Sequence, residues 1–230
     1  MFERESEMTA SAERWMRARG LRVKAEFNTP WGVCDLVGLK FNRQNVAKRV
    51  RLRQMRAIGS ITRAALLLQL PDVESRRSVT LKGLAHRWHS SIPADVLAVE
   101  AERLIADRFA LRSARGGLQK VNGWVPLQER IVAVELKLAR IDEAMQQARS
   151  NLRFADESYV AFPTRVAEAL IANRHRWSDH LDAGIGVLGV SAHRCVLLLP
   201  SKREAGMVDE AVQLYCVEKF WRTRLKDSST

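Results

Sequence analysis

The sequence has few cysteines and no long apolar run. Its three cysteines, Cys34, Cys195 and Cys216, form no CxxC or Cys/His pattern, so nothing in the sequence indicates a zinc site. Two of them lie within apolar stretches, which favours buried, reduced thiols in a cytoplasmic protein. No apolar run approaches the roughly 18 residues that a membrane span requires, and the acidic N-terminal stretch lacks the apolar core of a signal peptide.

Two common catalytic motifs are also missing. There is no G-x-S-x-G elbow and no P-loop, so serine hydrolases and NTPases are not indicated.

Acidic residues are outnumbered by basic ones. The chain has 26 aspartates and glutamates and 38 lysines and arginines, which gives a net charge of +12. This excess indicates a polyanionic partner, first nucleic acid and second an anionic membrane surface. We expect DNA as the partner and no membrane, and the sequence leaves room for a homodimer.

One apolar stretch carries two charges. Residues 131–138, Ile-Val-Ala-Val-Glu-Leu-Lys-Leu, predict a short β-strand on which Glu135 and Lys137 point to the same face. Two charges on one face of an apolar strand are costly unless they act together. The alternative interpretation is a surface ion pair, because Glu-x-Lys also arises by chance in charged chains.

A second apolar strand, residues 32–38, carries one carboxylate, Asp35. If Asp35 and Glu135 converge, they can hold Mg²⁺, a hard cation that accepts oxygen ligands, and the Leu136 carbonyl can add a backbone ligand. A metal held there would polarise a phosphate and lower the pKa of a bound water. Lys137 would then orient that water or stabilise charge on the phosphate.

The predicted elements alternate between helix and strand at both ends of the chain. Residues 7–19 predict a helix, and strands follow over residues 21–27 and 33–41. The alternation resumes after the 131–138 strand, with helices over 140–152, 164–173 and 208–225 and strands over 158–162, 184–190 and 195–200. We therefore predict one α/β domain, residues 1–42 and 121–230, interrupted by an all-helical insert over residues 43–120.

The insert is basic, and its order of elements is typical of a winged helix-turn-helix. Predicted helices over 61–70, 81–89 and 93–109 are followed by a hairpin over 110–119 with a Gly-Gly tip. The alternative is a helical insertion that only packs against the main domain. The residues expected to contact nucleic acid are Arg43, Lys48, Arg49, Arg51, Arg53, Arg56, Arg112, Arg115 and Lys120. No acid interrupts residues 43–56, so a surface that follows phosphates competes with a solvated helix face.

Five stretches together resemble the PD-(D/E)xK nuclease superfamily, in particular its small bacterial members and the archaeal Holliday-junction resolvases. They are Ser6-Glu7-Met8-Thr9, Trp31 to Gly38, Val134-Glu135-Leu136-Lys137-Leu138, Gln147 to Leu152 and Tyr159 to Pro163. The resemblance covers residues 5–42 and 130–200. It departs from the family pattern at Cys34, where the family usually has proline, and in the long insert between the two acidic strands.

The resemblance implies a restriction-endonuclease-like fold, a mixed β-sheet flanked by helices. It implies that Asp35 and Glu135 bind Mg²⁺ or Mn²⁺, that Lys137 is the catalytic lysine, that Glu7 is a supporting acid and that Gln147 has a positioning role. The expected function is a metal-dependent DNA endonuclease or repair-type nuclease. Two alternatives stay open: a non-catalytic DNA-binding regulator on a degenerate nuclease fold, and a structural protein in which Glu135 and Lys137 are only a buried ion pair.

Overall fold

A computed structural model describes residues 2–87, 92–121, 126–202 and 207–227. The helices are α1 (Ser6–Arg17), α2 (Arg43–Arg51), α3 (Ile61–Gln69), α4 (Leu81–Arg87), α5 (Ala94–Ala106), α6 (Ile141–Asn151), α7 (Thr164–Ala172), α8 (Ser178–Asp182) and α9 (Glu210–Asp227). The strands are β1 (Arg22–Thr29), β2 (Gly32–Phe41), β3 (Ala110–Arg112), β4 (Leu118–Lys120), β5 (Gln128–Leu136), β6 (Glu157–Pro163), β7 (Gly186–Val190) and β8 (Cys195–Leu199). The predicted helix end at His89 lies outside the described residues.

The chain divides into two compact units. The first comprises residues 1–40 and 128–209, and the second comprises residues 41–127 and 210–230. The sequence predicts that residues 210–230 belong to the first domain, whereas helix α9 packs against α3 in the second unit. The sequence pattern indicates that α9 is a helix with buried apolar residues, but such a pattern does not show which element covers them.

The first unit is built on a mixed sheet. In the described part of the chain, six strands are ordered β1-β2-β5-β6-β7-β8. The outer pairs β1–β2 and β7–β8 are antiparallel, and β5–β6 and β6–β7 are parallel. The parallel strands are joined through α6 and α7, as parallel neighbours require a crossover connection. The predicted α/β class, a mixed sheet flanked by helices, is confirmed.

The central strand β5 is buried on both faces. On one face, Val134 and Leu136 lie in one apolar cluster with Met8 and Met16 of α1. On the other, α6 and α7 pack in a second cluster with residues of β6 and β7. Gly38 of β2 leaves room for this packing, because a Cβ there would lie 2.7 Å from the Met16 Cε and 3.1 Å from the Leu21 Cβ. Burial of this kind contributes about 25 cal/mol for each Å² of apolar surface removed from water.

The second unit is helical but not entirely so. Helices α3, α4, α5 and α9 enclose an apolar core that includes Leu66, Leu104, Phe109 and Leu214. Strands β3 and β4 form the antiparallel hairpin predicted around the Gly-Gly tip, and a bridge between Val79 and Leu118 extends it. The expectation of an all-helical insert is therefore wrong in this respect. No helix among the described residues is long and apolar enough to cross a membrane.

Candidate active site

Strands β2 and β5 are neighbours in the sheet, although the whole second-unit insert separates them in sequence. Their pairing brings Asp35 to the end of β5, where the Leu136 backbone N–H donates to Asp35 Oδ2 at 2.7 Å. Glu135 is the preceding residue and is 2% exposed. The predicted convergence of the two acidic strands in one sheet is therefore observed.

The two carboxyl groups influence each other electrostatically. Burial is the first cause that raises the pKa of Glu135, and the nearby charge of Asp35 is the second; together they bring it to about 7. Burial also raises the pKa of Asp35, while the hydrogen bond from the Leu136 N–H and the charge of Lys137 lower it. A buried carboxylate and a half-buried one that repel each other in this way favour either a bound proton or a bound cation.

Glu135 is held in place by a residue that sequence reasoning missed. Asn151, the last residue of α6, is buried, and its Nδ2 donates to Glu135 Oε1 at 2.6 Å. The same amide nitrogen lies 3.4 Å from the Cys34 Sγ, which burial and the Glu135 charge keep protonated by raising its pKa well above the ordinary value. The sequence held a signal for Asn151, since it follows Gln147 by four residues and so shares its helix face.

Lys137 lies at the end of β5 between two acids. Its side chain is buried, and its Nζ lies 3.7 Å from Glu5 Oε2 and 3.7 Å from Glu143 Oε1. Arg140 bridges the same two acids, with its guanidinium 2.7 Å from Glu143 and 3.8 Å from Glu5. The charge of Lys137 reaches both carboxyl groups, since it lowers the pKa of Asp35 and of Glu135.

The acid that α1 contributes to this cluster is Glu5, at the start of the helix, and not the predicted Glu7. Glu7 is exposed, its Oε2 accepts from the Glu3 backbone N–H at 3.0 Å, and no hydrogen bond or ion pair in the described residues joins it to the three predicted catalytic residues. The sequence contained a signal for this. The buried stripe of α1 includes Met8 and Ala12, and extending it back by three residues leads to Glu5.

The predicted Gln147 lies on α6 between Glu143 and Asn151, at four-residue spacing. These three residues therefore share the helix face that contacts β5. Gln147 is half-buried, and its Oε1 is a buried oxygen without a hydrogen-bond partner in the described structure. An unsatisfied buried acceptor is unfavourable, so this atom is suited to a donor that arrives with a ligand.

The donor set fits a hard divalent cation. Asp35 and Glu135 supply carboxylate oxygens, and the Leu136 carbonyl is the only other ligand that the sequence suggested. Among the described residues, no group of three or more histidines, cysteines or acids has the arrangement of a metal site. Two carboxylates suffice for Mg²⁺ because this ion keeps several of its waters. Zinc prefers nitrogen and sulfur ligands, and the thiol of Cys34 beside this cluster is kept protonated.

Eight of the nine predicted nucleic-acid contacts lie at least partly at the surface of the second unit. Arg43, Arg51, Arg53, Arg56, Arg112 and Arg115 are exposed, and Lys48 and Lys120 are half-buried. Arg112 pairs with Glu102, Arg56 Nη1 lies 3.5 Å from Asp107, and Lys120 donates to the Leu68 carbonyl at 3.3 Å.

Arg49 does not belong to that surface. It is 3% exposed, forms a two-pronged ion pair with Glu218 of α9, and donates to the carbonyls of Gln54 and Arg56. Its guanidinium carbon also lies 4.6 Å from the centre of the Trp221 ring. All three nitrogens of this group donate inside the second unit, so the predicted phosphate contact at Arg49 is corrected to a structural role.

No family model and no curated protein matches the chain. A solved structure of a protein of unknown function from Silicibacter pomeroyi is similar, with 12% identity, a TM-score of 0.43, and coverage of 99% of this chain and 92% of the other. At that TM-score the similarity carries no argument about fold or function.

Proposed function

We propose that this protein is a metal-dependent DNA endonuclease with a restriction-endonuclease-like first unit. The observation that carries the proposal is the arrangement of Asp35, Glu135 and Lys137 on adjacent strands. The buried carboxyl group of Glu135 and the half-buried one of Asp35, both with raised pKa values, lie close to the buried Lys137 in an otherwise apolar sheet. Such an arrangement is destabilising unless it binds something, and perturbed carboxyl pairs of this kind are typical of functional sites.

Each residue has a defined task in the proposed reaction. Asp35 and Glu135 would hold Mg²⁺ or Mn²⁺, which supplies Lewis-acid activation of the phosphate and of a water. Asn151 orients the Glu135 carboxylate through its amide N–H. Lys137, fixed by Glu5 and Glu143, places its ammonium group where it can stabilise the negative charge that develops on the phosphate during hydrolysis.

The second unit is proposed to bind duplex DNA and to add affinity rather than chemistry. Its order of α3, α4 and α5 followed by the β3–β4 hairpin supports a winged-helix-like module. Exposed arginines on α2, just after it and at the hairpin supply positive charge for phosphates. The half-buried Lys48 and Lys120 are weaker candidates because part of each side chain is already in contact with protein.

A second candidate is a DNA-binding protein without catalytic activity. The observation that favours it is the size of the carboxylate cluster, which among the described residues offers two acids and no third for a metal ion. A cluster of this size holds a cation weakly until a substrate phosphate adds further oxygen ligands. The two candidates agree on DNA as the partner and differ in whether the phosphodiester bond is broken.

The test is a cleavage assay with the full-length protein. Single-stranded, duplex, nicked and branched DNA are each incubated with Mg²⁺, with Mn²⁺ and with a chelator. We expect metal-dependent cleavage by the wild type and none by Asp35→Ala or Glu135→Ala. The matched control is Glu129→Ala, which removes an exposed acid from the same strand, β5, and should retain activity.

If no DNA in the panel is cut while binding is retained, the second candidate replaces the first. Circular dichroism of each variant shows whether the fold is intact. Either alanine relieves the repulsion between the two carboxylates but leaves the Leu136 N–H or the Asn151 amide without its acceptor, so the stability of each variant is measured before its activity is compared.

A further inference from the structure

A cavity of about 920 Å³ opens in the first unit at the carboxyl ends of β5, β6 and β7. Its walls come from the segments that directly follow these parallel strands and from the N-terminal part of the chain. In open α/β sheets, ligands bind at this edge of the sheet. The volume lies within the range of sites that hold small molecules or parts of larger ones.

The cavity begins next to the proposed catalytic lysine. Leu138 is part of its wall and directly follows Lys137 in the chain. On the other side, Glu7 lies two residues after Glu5, whose carboxylate is 3.7 Å from the Lys137 ammonium group. A DNA strand whose phosphate lies at the carboxylate pair therefore has a neighbouring nucleotide close to this opening.

The walls of the cavity are mainly apolar. Phe2, Leu138, Val166 and Val190 supply hydrocarbon surface. An unpaired nucleobase has two apolar faces that lose their stacking partners when it leaves the duplex, and protein sites compensate by stacking or apolar contact. A phosphate or a peptide backbone would gain much less from such walls.

The polar atoms of the cavity can recognise the edge of a base. Glu7 contributes a carboxylate of which one oxygen already accepts from the Glu3 N–H, so the other is available to a ligand. A carboxylate accepts hydrogen bonds and cannot donate them at neutral pH. Adenine, cytosine and guanine present an amino group to such an acceptor, whereas thymine has none. Arg165 at the rim suits a phosphate of the same strand.

One wall of the cavity is held in a fixed position. The Ser11 hydroxyl of α1 donates to the Ala192 carbonyl at 3.1 Å, and the Arg14 guanidinium donates to the oxygen of that hydroxyl at 2.8 Å. The Ser191 backbone N–H donates to the Arg194 carbonyl at 2.8 Å and closes the turn. A site that is formed before its ligand arrives loses less conformational entropy on binding.

We propose that this cavity binds one unpaired, amino-bearing base of the DNA substrate. The proposal rests on the proposed nuclease function and narrows its substrate class to DNA with an unpaired base beside the bond that is cut. It also gives Glu7 a role, recognition of the base, which differs from the supporting acidic role that the family resemblance implied.

The test measures binding by fluorescence anisotropy, with every protein carrying Asp35→Ala so that no DNA is cut. The probes are a labelled perfect duplex, the same duplex with one unpaired adenine, and the same duplex with one unpaired thymine. We expect the unpaired adenine to increase affinity over the perfect duplex by about tenfold or more, the scale of one stacked base. The unpaired thymine should increase it less.

Two variants of the cavity and one control complete the test. Val166→Trp fills the cavity and should abolish the preference for the unpaired adenine. Leu197→Trp places the same side chain at an exposed position on β8 outside the lining, and should keep the preference. Glu7→Gln should bring the affinities for unpaired adenine and unpaired thymine closer together, and it serves as the test if thermal melting shows that Val166→Trp is unfolded.

A folded Val166→Trp protein that keeps the preference overturns the cavity proposal, and so does a wild-type cavity with no preference at all. These results are separate from the cleavage assay. If Val166→Trp abolishes the preference but wild-type protein cuts no DNA, the base site stands and the nuclease function fails. If wild-type protein cuts DNA and shows no preference for an unpaired base, the nuclease function stands and the cavity proposal fails.

Discussion

Asn151 donates a 2.6 Å hydrogen bond to Glu135 and so connects the end of α6 to β5 inside the carboxylate site. The hydrogen bond favours the ionised form of Glu135 and lowers its pKa, whereas burial and the charge of Asp35 raise that pKa to about 7. The charge of Glu135 near neutral pH is thus set by a balance of its neighbours. Asn151 can be changed without removing an acid or the lysine.

Asn151→Ala should shift the pH dependence of DNA cleavage to higher pH. Without the amide donor the pKa of Glu135 rises, so a higher pH is needed to ionise it and to bind the proposed metal ion. The measurement is the cleavage rate as a function of pH at fixed Mg²⁺. Asn151→Ser keeps a donor and should shift the profile less. Loss of activity by one constant factor at all pH values would mean that Asn151 only supports the packing.

Glu135→Gln should stabilise the metal-free protein above neutral pH. The carboxyl group has a pKa of about 7 in the folded state against an ordinary value of 4.5, so the folded state binds its proton more tightly than the unfolded state does. Stability therefore falls as pH rises from about 4.5 to about 7 and stays low above that. The loss is up to about 3 kcal/mol, because one pKa unit corresponds to about 1.4 kcal/mol.

Urea unfolding without divalent metal measures this effect. The difference in the free energy of unfolding between Glu135→Gln and wild type should be small at pH 5 and largest at pH 8. The glutamine amide oxygen can still accept from Asn151, so the hydrogen bond is not a confounding loss. An equal difference at both pH values would show that the Glu135 charge is not the cause.

Much of the site followed from strand periodicity. Alternation along the 131–138 stretch placed Glu135 and Lys137 on one face, and the single carboxylate of a second apolar strand indicated Asp35 as their partner, which the family resemblance also implied. Asn151 was not predicted although it shares a helix face with Gln147, because its amide becomes important only when α6 packs against β5. The prediction named Glu7, whereas the structure places Glu5 beside Lys137. At the start of the helix, a displacement of two residues rotates a side chain by about 200° around the helix axis.

For the fold, the sequence predicted local elements better than the contacts between distant elements. Local patterns identified most of the helices and strands, including the β3–β4 hairpin, because each pattern depends on neighbours in sequence. They gave no bounds for α2 and did not include the short α8. The position of α9 and the burial of Arg49 were not predictable in this way. Both involve contacts between residues far apart in sequence, such as the ion pair between Arg49 and Glu218, which are 169 residues apart, and no local pattern reveals such a pairing.

Lys137→Ala should abolish most cleavage and leave metal binding intact. An ammonium group is not an oxygen ligand, so its loss removes charge stabilisation on the phosphate without removing a ligand. We expect the cleavage rate to fall by about a hundredfold or more. Calorimetric titration with Mn²⁺ should give an affinity equal to or tighter than that of wild type, while Asp35→Ala should lose it. Parallel loss of metal affinity in Lys137→Ala would contradict this assignment of roles.

Arg49→Ala should destabilise the second unit. Removing the guanidinium leaves the fully buried Glu218 carboxylate without its partner, and breaking a buried pair in this way costs about 3–5 kcal/mol. The exposed Arg51 on the same helix is the matched control, and Arg51→Ala should change the free energy of unfolding by less than about 0.5 kcal/mol. If urea unfolding gave the same change in the free energy of unfolding for Arg49→Ala and Arg51→Ala, the structural role of Arg49 would be contradicted.

The salt dependence of DNA binding tests the exposed arginines of the second unit. Each neutralised phosphate releases counterions, so the slope of log K against log salt should become less steep by about 0.9 for each phosphate that is no longer neutralised. We expect Arg51→Ala combined with Arg53→Ala to reduce the slope by about 2 if both side chains touch phosphate. All duplex sequences should bind more weakly to the same degree, because phosphate interactions carry no base information.

Arg49 is left unchanged in this experiment, since its replacement would weaken binding by unfolding the unit. Anisotropy titrations at several salt concentrations supply the slopes, with Arg17→Ala on α1 of the first unit as the control for removal of an exposed basic residue. An unchanged slope in the double variant would favour a protein-binding or purely structural role for residues 43–120.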